Sequence, residues 1–268
     1  MTDSSSQFTG SIPEIYDRHL GPVIFEPYAR DLARRVIVGD GAAVLEIACG
    51  TGIVTRRLRE HMPNGAKLVA TDLNQAMVDH AQSHLGDLPG ITYQVADAAD
   101  LPFEAAAFDV AAMQFGLMFV PDKDQAARAA RRVLKPGGMF LVSVWDEMRL
   151  NPFSRIAHET ITRLFPDDPP QFYKVPFGYT DPGVLRALLD GNGFKDVVVE
   201  SVKLEARAPS ARFFATGLVE GNPVRLTLEE RGARLAPVVD AITSALVAEF
   251  GDTPCVSKLQ AWVATARA

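Results

Sequence analysis

The stretch Val44-Leu-Glu-Ile-Ala-Cys-Gly-Thr-Gly-Ile-Val-Thr55 narrows the fold of this chain more than any other. An apolar run, Val44 to Ala48, is interrupted only by Glu46 and stops at a glycine-rich turn. Beyond the turn Val54, Leu58 and Met62 recur every fourth residue, with Arg56, Arg57, Arg59 and Glu60 between them, as in an amphipathic helix. Pro63, Asn64 and Gly65 end it. A strand that ends in a tight turn and opens a helix is the unit of a doubly wound α/β sheet, whose ligands sit beyond the carboxyl ends of the strands. Gly50 and Gly52 are expected to let the backbone approach a ligand where a Cβ would collide.

Three residues refine that reading. Thr55 stands where a dinucleotide-binding G-x-G-x-x-G turn has a third small residue, which weakens a dinucleotide assignment. Glu46 lies inside the strand, where a buried charge is costly without a partner. An acid there suits a positively charged ligand and would repel a pyrophosphate. Asp72, at the end of the next strand, can accept hydrogen bonds from both hydroxyls of a ribose.

The rest of the first half keeps the βαβ rhythm. Lys67 to Thr71, Ile91 to Val95 and Phe108 to Gln114 read as strands. Asn74 can cap a helix bearing Met77, Ala81 and Leu85 on one side. A helix from Asp122 to Leu134 follows, with Lys135-Pro136-Gly137-Gly138 as a stop signal before an apolar strand, Met139 to Trp145. The second half is less regular. It shows a helical pattern around Ile156, Thr160 and Leu164, a helix from Asp181 to Asp190, a strand from Val197 to Ala206, a mostly helical stretch from Arg212 to Gly251, and a last strand from Val256 to Ala264. One domain is expected: N-terminal helices in 1–38, a ligand-binding core in 39–148, and insertions 151–180 and 209–252 that cover the strand ends.

The 268 residues are ample for one core, and the net charge of −6 argues against nucleic acid or an anionic membrane as partner. No run of eighteen apolar residues exists, and the polar, Ser-rich stretch Met1 to Gly10 reads as a frayed end, not a signal peptide. The two cysteines, Cys49 and Cys255, allow one disulfide on count alone, and nothing in their spacing suggests a framework or a zinc site. A reducing cytoplasm is the expected compartment.

The set Glu46/Gly50/Gly52, Asp72-Leu73, Asp97-Ala98, Phe108-Asp109-Val110 and Leu134-Lys-Pro-Gly-Gly138, over about residues 40–145, resembles the class I S-adenosylmethionine-dependent methyltransferases. The nearest branch includes ubiquinone/menaquinone-biosynthesis and other small-molecule enzymes. The resemblance implies a Rossmann-like seven-stranded α/β sheet of order 3-2-1-4-5-7-6 with strand 7 antiparallel. It implies S-adenosylmethionine as cofactor and methyl transfer to oxygen, nitrogen or carbon of a small molecule. By position, Glu46 would serve the cofactor amino group, and the backbone from Ala48 through Gly50 to Gly52 its methionine portion. Asp72 would take the ribose, Leu73 and Met77 flank the adenine, and Asp97 with Ala98 meet its edge. Gln114 and Phe115 would lie beneath the sulfonium, and Tyr16, in a Tyr-Asp-Arg motif, near the methionine end. Phe119 and Trp145 are placed toward the acceptor. Ala48-Cys49 departs from the family's commoner Gly-Cys or Gly-Ala pairs, a change tolerated in relatives.

Other features read as ordinary structure. Cys49 has no base beside it and reads as a small residue facing the cofactor. His80 and His84 are spaced i, i+4, but no third ligand has a fitting spacing, so they are expected to face solvent beside Asp79, with no metal. His19 and His158 read as surface or capping residues, and Arg128, Arg131 and Arg132 as a solvated helix face. Phe153, Phe165, Phe172, Tyr173, Phe177, Phe213 and Phe214 are divided between lid core and pocket lining. No residue stands out as a general base. Two other classes stay open. An NAD-type oxidoreductase is disfavoured by Thr55 and Glu46, and a non-catalytic member of the fold by the intact motif. The oligomeric state is open, a homodimer included.

Overall fold

A computed structural model of the chain describes residues 8, 10–86 and 88–268. Helix α1 (Ile12–Ile15) runs into a π-helical segment, Tyr16–Phe25, and then α2 (Glu26–Arg35). Strand β1 (Ala43–Ile47), α3 (Ile53–His61), β2 (Lys67–Asp72), α4 (Gln75–Leu85), β3 (Ile91–Val95) and β4 (Phe108–Gln114) follow. Then come α5 (Lys123–Val133), β5 (Leu134–Trp145), α6 (Pro152–Leu164), α7 (Pro182–Gly191) and β6 (Lys195–Ala208). Helices α8 (Ala211–Glu220), α9 (Val224–Glu230) and α10 (Leu235–Phe250) and strand β7 (Cys255–Arg267) complete the chain.

The seven strands form one sheet of order β3-β2-β1-β4-β5-β7-β6, with β7 antiparallel to both neighbours. Side chains alternate across it, as the strand period demands. Val44 of β1 joins Leu68, Val110 and Leu141 in a core closed by Leu32 of α2 and Leu58 of α3. Leu45 and Ile47 point the other way, into the larger core with Met113, Phe140, Ala130 of α5 and Leu189 of α7. Because β6 runs parallel to β5, the chain leaves both at the same edge. Helix α6 follows one exit and α8 to α10 the other, so these helices gather at the carboxyl ends of the parallel strands.

Two local expectations are corrected. Helix α5 ends at Val133, next to the Lys135-Pro136-Gly137-Gly138 stop signal, but the strand does not wait until Met139. The strand already begins at Leu134, paired with Phe108, and the register jumps to Val110–Met139, so the glycines form an irregularity within β5. The stretch Arg212 to Gly251 is mostly helical, as expected, but divided among three helices. It breaks after Glu220, at Gly221-Asn222-Pro223, and again near Gly232, whose φ is +71°. Asn74 occupies the N-cap of α4 without a side-chain capping bond. Asp122 and Asp181 do cap, accepting from the amides of Gln125 and Gly183. Cys49 and Cys255 are free, buried thiols.

Candidate active site

The turn after β1 is held from beneath. The Cys49 amide donates to the Thr71 carbonyl at 2.8 Å, and the Gly50 amide donates to Asp72 Oδ2 at 2.9 Å. Asp72 Oδ1 accepts from the Asn74 amide at 2.9 Å. Oδ1 also accepts from Asn74 Nδ2 at 3.3 Å, and since a carboxylate has about four lone-pair sites Asp72 keeps some acceptor capacity. Burial raises its pKa, and the Asn74 and Gly50 amides offset part of that rise.

The two glycines do different things. Gly50 sits at φ +55°, and a Cβ on it would meet nothing within 4 Å. It faces open space, as a ligand-binding backbone must. Gly52, at φ +89°, does not: its Cβ would lie 2.7 Å from Leu85 Cδ1 and 3.1 Å from Ala81 Cβ. The absence of a side chain at Gly52 thus serves close packing of the turn on α4, which leaves its backbone still on the crevice-side turn. Ala48 and Phe115, at the ends of β1 and β4, hold left-handed conformations with φ +58° and +54°. Non-glycine residues rarely adopt such φ values, which concentrate at ligand-binding turns.

Glu46 is 1% exposed and its Oε2 has no hydrogen-bond partner. Burial pushes its carboxyl up to about 8, with Asp72 adding to the rise and Thr55 opposing it. An orphaned buried acid beside an open turn fits a ligand that brings a positive charge. Cys49 is also driven up, by burial first and then by Glu46 and Asp72, so it is no nucleophile.

The other expected residues surround the same strand ends. Leu73 is 57% exposed and Met77 is buried on α4. Asp97 is exposed and accepts from the Ala99 amide, and Ala98 is half-buried against the core. Gln114 Nε2 donates to the Phe25 carbonyl at 3.2 Å, and its Oε1 is buried without a partner. Tyr16 stacks on Phe25 with centroids 4.6 Å apart. Burial, then Asp72, then Asp17 raise its pKa, so the phenol stays neutral and lies near the Asp72 carboxylate.

Tyr16 also lines a narrow cavity of about 50 Å³, which a ring-sized guest would have to widen. Phe115 and Trp145 form part of its wall, stacked at 3.8 Å and 4°. Phe25, Phe119, Phe153 and Phe177 contribute further rings, and Asn222 a polar group. Among the described lining residues there is no carboxylate, imidazole or ammonium. Tyr173 donates to the Leu218 carbonyl at 2.7 Å. Of the aromatics divided between lid and pocket, Phe153, Phe172, Tyr173 and Phe177 line this cavity. Ile24, Phe25, Leu218 and Asn222 were not anticipated. Asn222 lies in the Gly-Asn-Pro break, which was readable as a turn.

His19 links the π-helical segment to α8 through the Phe213 carbonyl at 2.9 Å, and His158 is half-buried. Arg132, though exposed, donates to the Leu101 and Phe103 carbonyls, so it also braces a loop. His80 does not face solvent: its side chain is 11% exposed and turned toward Asp17, because α1 and the π-helical segment cover that side of α4.

Comparison with known proteins meets this geometry. Residues 45–142 match a family described as a methyltransferase domain. Over that stretch the chain is similar to S-adenosylmethionine-dependent methyltransferases, whose cofactor is S-adenosylmethionine and whose reaction is methyl transfer. The demethylmenaquinone methyltransferase of Lactobacillus johnsonii is 29% identical over 189 residues, 65% of this chain and 77% of that one. The ubiquinone/menaquinone biosynthesis C-methyltransferase of Idiomarina loihiensis is 41% identical over 105 residues, 38% of this chain and 42% of that one. The chain thus spans less than half of the latter. Among solved structures, the S-adenosyl-L-methionine complex of Haemonchus contortus phosphoethanolamine N-methyltransferase 2 superposes with a TM-score of 0.63 at 18% identity. That match covers 98% of this chain and 58% of that one. A [4+2]-cyclase superposes at 0.57 with 22% identity, covering 90% of this chain and 80% of that one. These superpositions establish the fold. No helix among the described residues is long and apolar enough to cross a membrane.

Proposed function

We propose that the protein transfers a methyl group from S-adenosylmethionine to a small, largely apolar acceptor with a flat ring, held in the aromatic cavity. The observation that carries this reading is one shared wall. Tyr16 and Phe115 border the cavity, and each also belongs to the strand-end crevice beside Asp72 and Ala48. The names of the quinone-pathway relatives agree with a ring of that kind. The division of the chain that goes with this reading is a cofactor-binding core in 39–148, N-terminal helices within 1–38, and insertions 151–180 and 209–252 that cover the acceptor. The acidic net charge supports a cytoplasmic enzyme with neither nucleic acid nor membrane as partner.

In this reading Glu46 answers the cofactor's ammonium, and the backbone Ala48 to Gly52 lines its methionine portion. Asp72 takes the ribose, Leu73 and Met77 border the adenine, and Asp97 and Ala98 meet its edge. When bound, the cofactor supplies an electrophilic methyl group on a sulfonium. The chain supplies alignment. Gln114 and Phe115, fixed at the end of β4, set the floor between donor and acceptor, and Phe119 and Trp145 seat the acceptor. Alignment of this sort contributes roughly 7–11 kcal/mol in favourable cases. The cavity removes water from the nucleophile. Among the described lining residues none is a carboxylate, imidazole or ammonium, which favours an acceptor atom that is nucleophilic as bound.

The deciding experiment is incubation with labelled cofactor and a panel of phenolic, quinol and aryl-amine acceptors, alongside calorimetry with S-adenosylhomocysteine and NAD. Label transfer to a ring compound is expected. NAD binding without S-adenosylhomocysteine binding would overturn the assignment.

A further inference from the structure

Three metal-ligating side chains converge outside the roles given above. Asp17 of the π-helical segment and His80 and His84 of α4 each present a ligand atom, and these lie within 4.8 Å of one another. The sequence supplied the histidine pair, and the fold supplies the third member from 63 residues upstream. His80 Nε2 is buried, lacks a hydrogen-bond partner, and stands 3.6 Å from Asp17 Oδ2, too far for a hydrogen bond. His84 Nδ1 lies 3.0 Å from the His80 carbonyl oxygen. The Ser83 hydroxyl, which donates to the same carbonyl, lies 3.1 Å from Nδ1, and a proton on Nδ1 satisfies the carbonyl and leaves Nε2 as the ligand atom. A histidine whose other nitrogen is tied to a backbone carbonyl is the usual form of a metal ligand. Asp17 is oriented likewise: Oδ1 accepts from the Thr51 hydroxyl at 2.9 Å, leaving Oδ2 toward His80.

We propose that Asp17, His80 and His84 form a site for a divalent transition-metal ion, zinc above all. Two imidazoles one helical turn apart with a carboxylate from another element are a borderline-soft, three-ligand set that leaves a position for water. The stacked rings, 4.0 Å apart at 22°, must splay slightly to admit the ion. The ion would rivet the π-helical segment to α4 and, through Thr51, to the glycine turn. It touches no part of the cavity, so its role is to hold Tyr16 over the crevice rather than to act on the substrate.

Untagged full-length protein, stripped with chelator, is titrated with Zn²⁺ by calorimetry and with Co²⁺ by visible absorption. One ion per chain is expected, with the intense ligand-field bands of four-coordinate Co²⁺ and a raised melting temperature. His84→Ala alters an exposed residue and should leave the fold intact. It and His80→Ala should each weaken Zn²⁺ binding by more than the roughly 10–100-fold that loss of an outer-shell partner costs. Asp17→Asn should shift the Co²⁺ spectrum. Substoichiometric binding, octahedral Co²⁺ bands, or unchanged affinity in His84→Ala would overturn the site. None of these readouts depends on methyl transfer.

Discussion

Glu46 has a carboxyl that burial holds at about 8, against an ordinary value of 4.5. In the cofactor-free protein at neutral pH it therefore keeps its proton, and a bound cation must expel it. Affinity for S-adenosylmethionine should tighten by up to about tenfold per unit as pH rises toward 8, then level off. Glu46→Gln should abolish that slope in calorimetric titrations. The same shift fixes the sign of a stability effect. Between 4.5 and about 8 the folded state binds more protons than the unfolded state, so the cofactor-free chain loses stability as pH rises through that window. Melting curves across the window should fall in the wild type and flatten in Glu46→Gln. Asp72→Ala should weaken S-adenosylhomocysteine binding by about 1–3 kcal/mol, since it removes a buried acceptor. Unchanged affinity would exclude the ribose role. At this scale the residue types were legible from the chain, because chemistry picks them out. Their partners were not: the Thr51 hydroxyl that orients Asp17 belongs to a contact spanning 34 residues.

Among elements, the joint between the glycine turn and α4 is the least forgiving. Gly52→Ala would impose a left-handed conformation on an L-residue, at about 1–2 kcal/mol, and drive a methyl group into Leu85 and Ala81. Overpacking adds about 1–3 kcal/mol. A loss of roughly 2–5 kcal/mol is expected in denaturant unfolding, whereas Gly50→Ala should chiefly cost cofactor affinity. Strands β3 and β4 have the bounds their sequences suggested, since Ile91 to Val95 and Phe108 to Gln114 are short apolar runs with clear ends. The start of β5 was illegible because Gly137 and Gly138 look like a stop, yet the chain there bonds Ala268 through the Gly137 amide and the Gly138 carbonyl. The π-helical segment was equally hidden. Gly21 and Pro22 lie inside it, and its i→i+5 pattern accommodates them, as in the bond from the Glu26 amide to the Gly21 carbonyl.

Over the whole molecule, a conventional sheet carries an idiosyncratic cover. The sheet order followed from a resemblance confined to about residues 40–145, and β6 and β7 fall in place beyond it. The cover could be read only as helical, because which face of α8 meets the π-helical segment depends on tertiary partners such as His19 and Phe213. Because Tyr16 belongs to both crevice and cavity, ligands bound there should order its segment. S-adenosylhomocysteine should slow amide hydrogen exchange in Tyr16–Phe25 and in Ala211–Glu220, with little change in β5. Equal protection everywhere would argue for a rigid cover. The parallel stack of Phe115 on Trp145 has an optical corollary. The chain has two tryptophans, and Trp262 lies outside the cavity wall. An aromatic guest seated against Trp145 would quench part of the intrinsic emission and leave a constant remainder, so the protein carries its own indicator of acceptor occupancy before any turnover begins.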